Sequence, residues 1–133
     1  MTNDEKQKLY SSGDYRSLSD AQKRIFRQTV EDLDARGLFQ LADVSIIASY
    51  ARNVVLARLA SRELEKYGIL LKEEDRYHGT KIKQNPAADI LQRAQKAMED
   101  TAVKLGLTPT GRKRLKGEEK IKSASEEWDE QDD

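Results

Sequence analysis

The residues best equipped for chemistry in this chain are cations, and they fall into two clusters. Arg112, Lys113, Arg114 and Lys116 form the denser one; Lys23, Arg24 and Arg27 form the other, with Arg16 shortly before them. Positive side chains at this density suit phosphate, which supplies most of the sequence-independent affinity for nucleic acid. Each cluster also has an ordinary reading. Glu31, Asp32 and Asp34 follow the first, as on a solvated helix face. The second sits where basic residues would compensate the negative end of a helix dipole. Arg52, Arg58, Arg62 and Lys66 form a third, looser set, suited to lining a channel or to pairing with Glu63 and Glu65.

Groups for catalysis are sparse. His78 is the only histidine and there is no cysteine, so a His-based triad has no spare partner and thiolate metal sites are excluded. His78 falls in a polar stretch and reads as a solvated loop residue. Glu73-Glu74-Asp75 offers carboxylates, but no other ligands accompany them at metal-site spacing. Gly111-Arg112-Lys113 lacks the upstream glycine and the strand of a phosphate-binding loop. The chain is therefore expected to be non-enzymatic, with no catalytic residue, metal or cofactor.

Net charge is zero, yet charge is unevenly spread. Arg112–Lys122 holds six basic and two acidic residues, whereas Ser123–Asp133 holds six acidic and none basic. Local charge, rather than the sum, sets local electrostatics. Only 37% of the 133 residues are apolar against 36% charged, a poor ratio for a self-sufficient monomer. A core completed by neighbouring subunits would relieve it. No apolar run approaches the ~20 residues of a membrane span. Met1–Leu18 lacks the apolar segment of a signal peptide. A soluble, cytoplasmic protein is expected.

The elements that must position these residues are mainly helical. Residues 1–18 read as a flexible N-terminal arm, residues 19–116 as a helical core for DNA recognition and oligomerisation, and residues 117–133 as a disordered acidic tail. Ser19 and Gln22 form a capping box, and Ile25, Phe26, Thr29, Val30 and Leu33 follow at helical spacing. Gly37 marks that helix's end. A longer helix is predicted over about Gln40–Tyr67, with Asp43 as its cap and Gly68 as its stop. Its apolar residues early on (Val44, Ile46, Ile47, Tyr50, Ala51, Val54, Val55) nearly surround it, so it needs cover on more than one side. One short partner helix does not provide that. Ile46, Ile47, Tyr50, Val54, Val55 and Leu59 are accordingly expected to meet other subunits. Ile69–Gln84 reads as a small β-hairpin that must dock on helices or on a neighbour. Asn85-Pro86 opens a third helix by N-cap and first-turn proline logic, Gly106 closes it, and Thr108-Pro109 starts a short fourth.

Asn85-Pro86-Ala87, an amphipathic helix, and then Leu105-Gly106-Leu107-Thr108-Pro109-Thr110-Gly111-Arg112-Lys113-Arg114-Leu115 resembles the C-terminal signature of phage terminase small subunits. Each piece alone is generic capping chemistry; the whole string, behind a long helix and a hairpin, is far less so. The resemblance covers about Ser19–Leu115. It implies a cyclic ring homo-oligomer in the host cytoplasm that recognises viral double-stranded DNA at the packaging start. It also implies delivery of that DNA to the large terminase subunit, which carries the ATPase and nuclease. Many relatives begin with a helix-turn-helix, and Ser19–Tyr67 shows no clean recognition-helix pattern.

Two other classes stay open: a helical adaptor that binds only protein, and a dimeric helix-turn-helix transcription regulator. Trp128, alone among acids, reads as a docking peptide for the large subunit or as part of a solubilising tail. The tail is also able to fold back on the Arg112 patch and mimic phosphate.

Overall fold

The computed structural model describes residues 1–117 and residue 121. The chain is mainly helical with one small antiparallel sheet. The elements are α1 (Asn3–Ser11), α2 (Gly13–Arg16), α3 (Asp20–Ala35), a 3-10 turn (Leu41–Asp43), α4 (Val44–Tyr67), β1 (Leu70–Asp75), β2 (Gly79–Gln84) and α5 (Pro86–Leu105). A short α6 covers residues 109–117.

The start of α3 follows its sequence signals. Ser19 Oγ accepts from the Gln22 N–H at 3.2 Å, and Gln22 Oε1 accepts from the Ser19 N–H at 2.9 Å. Its five predicted apolar-face residues, Ile25, Phe26, Thr29, Val30 and Leu33, are all buried. Asp43 does occupy the N-cap position of α4, but its side chain makes no capping bond. The preceding 3-10 turn delivers the chain instead, with Asp43 N–H donating to Gln40 C=O at 3.0 Å.

Residues 1–18, expected to form a mobile arm, instead fold onto the core. Thr2 caps α1, Ser12 caps α2, and Leu9 and Leu18 are buried. The rings of Tyr10, Tyr15 and Phe26 form a mutual cluster with centroids 5.0–6.5 Å apart. Edge-on aromatic pairs of this kind contribute beyond their burial. Helical periodicity misses them because α1 and α2 are too short to display it.

Cover for α4 comes from within the chain, which corrects part of the expected subunit contact. α3 lies against its N-terminal half and runs antiparallel to it: Ala21, Arg24 and Ile25 reach Val55–Arg62, and Asp32 reaches the level of Tyr50. α5 returns along the whole of α4, its start tied to Gly68 and its Met98–Val103 end beside Tyr50. Ile47 and Val54 are therefore buried in the protomer and unable to face a neighbour. Ile46, Tyr50 and Val55 are half-buried against the same core. Of the six residues expected at subunit contacts, Leu59 alone is fully exposed, at 54%.

β1 and β2 pair from Leu70↔Gln84 to Asp75↔Gly79, with Lys83 Nζ 2.6 Å from Glu73 Oε1 on one face. The hairpin stands away from the helices: Leu70 and Ile82 are each more than 60% exposed. The docking that a two-stranded sheet needs is thus absent within the protomer.

Asn85 joins three elements. Its Oδ1 accepts from the Ala87 N–H at 3.1 Å, capping α5. Its Nδ2 donates to Gly68 C=O at 2.9 Å, and its backbone N–H to Ile69 C=O at 2.6 Å. At the other end of α5, Gly106 is left-handed (φ 77°) and Leu107 N–H closes back on Ala102 C=O. Thr108 Oγ1 then caps α6 through the Gly111 N–H at 3.0 Å. Gly111 is buried with its α-carbon facing the carbonyl of Val103, where a Cβ would fall inside van der Waals contact.

Two outcomes follow for stability. Asn85→Ala removes a cap and orphans a carbonyl, and should cost about 2 kcal/mol in urea unfolding. Asn85→Ser keeps a cap acceptor but is too short to reach Gly68, and should cost roughly half as much. Gly111→Ala should destabilise by ~1–3 kcal/mol through overpacking against backbone that cannot yield, despite alanine's better helix propensity. Hydrogen exchange should place the Gly111→Ala loss in residues 109–117; a stabilised protein would contradict that packing.

Candidate nucleic-acid interface

The two cation clusters separate once folded. Arg112 lies at the α5–α6 junction and is half-buried. Its Nη1 donates to the carbonyls of Gly106 and Leu107, both at 3.4 Å. These are carbonyls at and just beyond the C-terminal end of α5, so Arg112 serves the helix end, the ordinary reading of that residue. Lys113, Arg114 and Lys116 stay exposed on α6. Lys120, Lys122 and Trp128 lie outside the described residues.

The α3 cluster also divides. Lys23 and Arg27, four apart, both turn to Tyr15 of α2. The Lys23 ammonium lies 5.4 Å from the ring centroid, and Arg27 donates to the phenol oxygen at 2.8 Å. Arg16 is exposed on α2, next to Tyr15 in the chain. Tyr15 thereby holds two cations side by side on the surface, by cation–π attraction and by a hydrogen bond. Burial raises the pKa of neighbouring Tyr10, as does the Glu31 carboxylate, so that phenol stays neutral.

Arg24 points elsewhere, into a groove between α3 and α4. Ala21, Arg24, Ile25 and Gln28 line it from α3; Val55, Arg58, Leu59 and Arg62 line it from α4. The groove encloses about 340 Å³. A second hollow of about 300 Å³ shares Ile25, Gln28 and Arg58 and extends it toward Leu107. Arg24, Arg58 and Arg62 are all exposed, and none forms an ion pair among the described residues. The expected pairing of the α4 arginines with Glu63 and Glu65 does not form among these residues. Arg52 instead donates to Ser17 Oγ at 3.2 Å, and Lys66 sits 5.1 Å from the Tyr67 ring centroid.

Arg58 and Arg62 were absent from the DNA-contact residues expected from sequence. A signal was present: they are four apart, on one face of a helix, flanked by Val55 and Leu59. What sequence lacked was the antiparallel packing that brings Arg24 across to them from over thirty residues away. The groove exists because α3 is shorter than α4. Sixteen residues reach about 24 Å and twenty-four reach about 36 Å, so α4 continues past the start of α3.

The carboxylates of the hairpin are engaged in its own structure. A hydrogen bond from Lys83, followed by its charge, holds the Glu73 carboxyl below its usual range. The Tyr77 backbone N–H and then His78 do the same for Asp75. His78 Nδ1 lies 2.8 Å from Asp75 Oδ2, an exposed pair that shapes the turn. Among the described residues, no group of three metal-ligating side chains converges. No helix of these residues is long and apolar enough to cross a membrane.

A family model described as phage terminase, small subunit, matches residues 22–122. The chain belongs to that family. The match spans α3 through α6, including the groove arginines, the hairpin and the whole Asn85–Leu115 string. α1, α2 and Arg16 precede it. No curated protein and no solved structure matches the chain. Membership of the terminase small-subunit family supports a role in phage DNA packaging. The members of that family are generally non-catalytic.

Proposed function

We propose that this chain recognises viral double-stranded DNA as a ring of identical copies and delivers it to the large terminase subunit. The observation that carries the reading is the groove of Arg24, Arg58 and Arg62, lying inside the family-matched region. Three exposed guanidinium groups without acidic partners among the described residues are what a phosphate backbone requires. Lys23, Arg27 and Arg16 extend that positive surface along α3 and α2. Lys113, Arg114 and Lys116 offer a separate, weaker grip from α6, with Arg112 positioning that helix rather than binding.

Contacts between copies fall to apolar groups that the protomer leaves uncovered. Leu56 and Tyr67 on α4, Ile69, Leu70 and Ile82 at the hairpin, and Ile90 on α5 are each more than 40% exposed. A closed cyclic assembly covers such surfaces on every copy and leaves no open sheet edge. The large subunit would then meet a ring rather than a single chain.

DNA affinity should fall steeply with salt. Replacing Arg24, Arg58 and Arg62 together by alanine should reduce the slope of log affinity against log salt by about 2–3, near 0.9 per phosphate lost. The Lys113→Ala, Arg114→Ala, Lys116→Ala triple variant should change it less; the reverse order would move the interface to α6. Native mass spectrometry should show one discrete multiple of the protomer mass. Leu70→Glu with Ile82→Glu should return it to the monomer at unchanged far-UV circular dichroism. A strict monomer in the parent protein at micromolar concentration would sink the ring.

A further inference from the structure

The α3–α4 groove carries two chemistries at once. Arg24, Arg58 and Arg62 surround it, while Ala21, Ile25, Val55 and Leu59 supply an apolar floor. Phosphates use the first feature and have no use for the second. The ligand class that uses both is an acidic peptide with one large apolar side chain. This chain contains such a segment: Ser123–Asp133 has six acidic residues, no basic one, and Trp128 between Glu127 and Asp129.

We propose that Ser123–Asp133, which lies outside the described residues, docks in this groove. Trp128 rests on the apolar floor and the flanking carboxylates meet the three arginines. The segment thereby competes with DNA phosphate, a consequence that rests on the DNA reading of the groove.

Charge complementarity is the first support. A bidentate guanidinium–carboxylate pair is stronger than a lysine contact, and the groove offers three guanidinium groups. The alternative receptor, the α6 patch, is weaker in this respect, because Arg112 is already bonded to the Gly106 and Leu107 carbonyls. Chain length is the second support. α6 leaves the core at Leu107, which lines the adjoining hollow together with Ile25, Gln28 and Arg58. The eleven residues from Gly117 to Trp128 reach up to ~36 Å, about the length of α4 itself. Trp128 also stacks well on guanidinium planes, which adds to the floor contact.

Trp128 is the chain's single tryptophan, so its fluorescence reports the segment alone. In the full chain its emission should be blue-shifted, and better shielded from acrylamide, than in a synthetic Ser123–Asp133 peptide. Arg58→Glu with Arg62→Glu, at exposed positions, should return it to the free-peptide position. Double-stranded DNA should red-shift it by displacement. Deleting Ser123–Asp133 should raise DNA affinity about tenfold at low salt. Added peptide should bind the truncated chain and not its Arg58→Glu, Arg62→Glu version.

Emission matching the free peptide in the full chain overturns the proposal, as does a blue shift that the arginine variants leave unchanged. Loss of DNA binding in the arginine variants with Trp128 unmoved overturns the docking while sustaining the DNA reading. A seated Trp128 in a chain that binds no DNA even after truncation sustains the docking and overturns the DNA reading with its competition.

Discussion

The fold depends on how the buried stripe of α4 winds. Ala48, Ala51, Val54, Ala57 and Ala60 are all buried and recur every third residue. An α-helix turns about 100° per residue, so each step of three falls roughly 60° short of a full turn. The stripe therefore travels around the helix instead of running straight along it. A single neighbour cannot follow that path. α3, backed by α1 and α2, covers the first part, and α5 returning antiparallel covers the rest. Four of the five stripe residues are alanine, which leaves little side-chain bulk between α4 and its neighbours. The same winding frees Val55, Arg58, Leu59 and Arg62 beyond the start of α3, and so creates the groove.

Electrostatics then follow from placement rather than from total charge. The chain is neutral, but its arginines have different neighbours. Arg36 pairs with Asp32 one turn away, at 3.1 Å, on an exposed surface where such pairs are worth ~0–1 kcal/mol. Arg112 terminates a helix. Arg24, Arg58 and Arg62 meet no carboxylate among the described residues and share one hollow. Their mutual repulsion is tolerated because all three heads reach solvent, and it favours any polyanion that enters.

The Asn85–Leu115 string identifies the family through structural necessities. Asn85 must be an amide, since one end accepts the Ala87 N–H while the other donates to Gly68. Gly106 must take a left-handed turn, and Gly111 must be small where α6 crosses the Val103 carbonyl. Pro86 fits the first helical position, where no N–H is needed. None of these residues contacts a ligand in this reading. They hold α4, α5 and α6 in the relation that the groove and its adjoining hollow require.

Local rules made much of this legible. The capping box at Ser19, the Asn85 and Thr108 caps, the Gly106 stop, the α3 core face and the hairpin all depend on residues within a few positions of each other. Sequence shows those directly. Residues 1–18 were misread because their anchoring is tertiary: Leu9 and two tyrosines are held by Phe26, not by a pattern of their own. Ile47 and Val54 looked available to neighbours because an apolar surround does not say which chain covers it. Sequence by itself determined the helices, their ends, the basic residue types and the family resemblance. Only the tertiary structure decided which cations act together, because Arg24 meets Arg58 and Arg62 through antiparallel packing of unequal helices, a distance relation that no local spacing encodes.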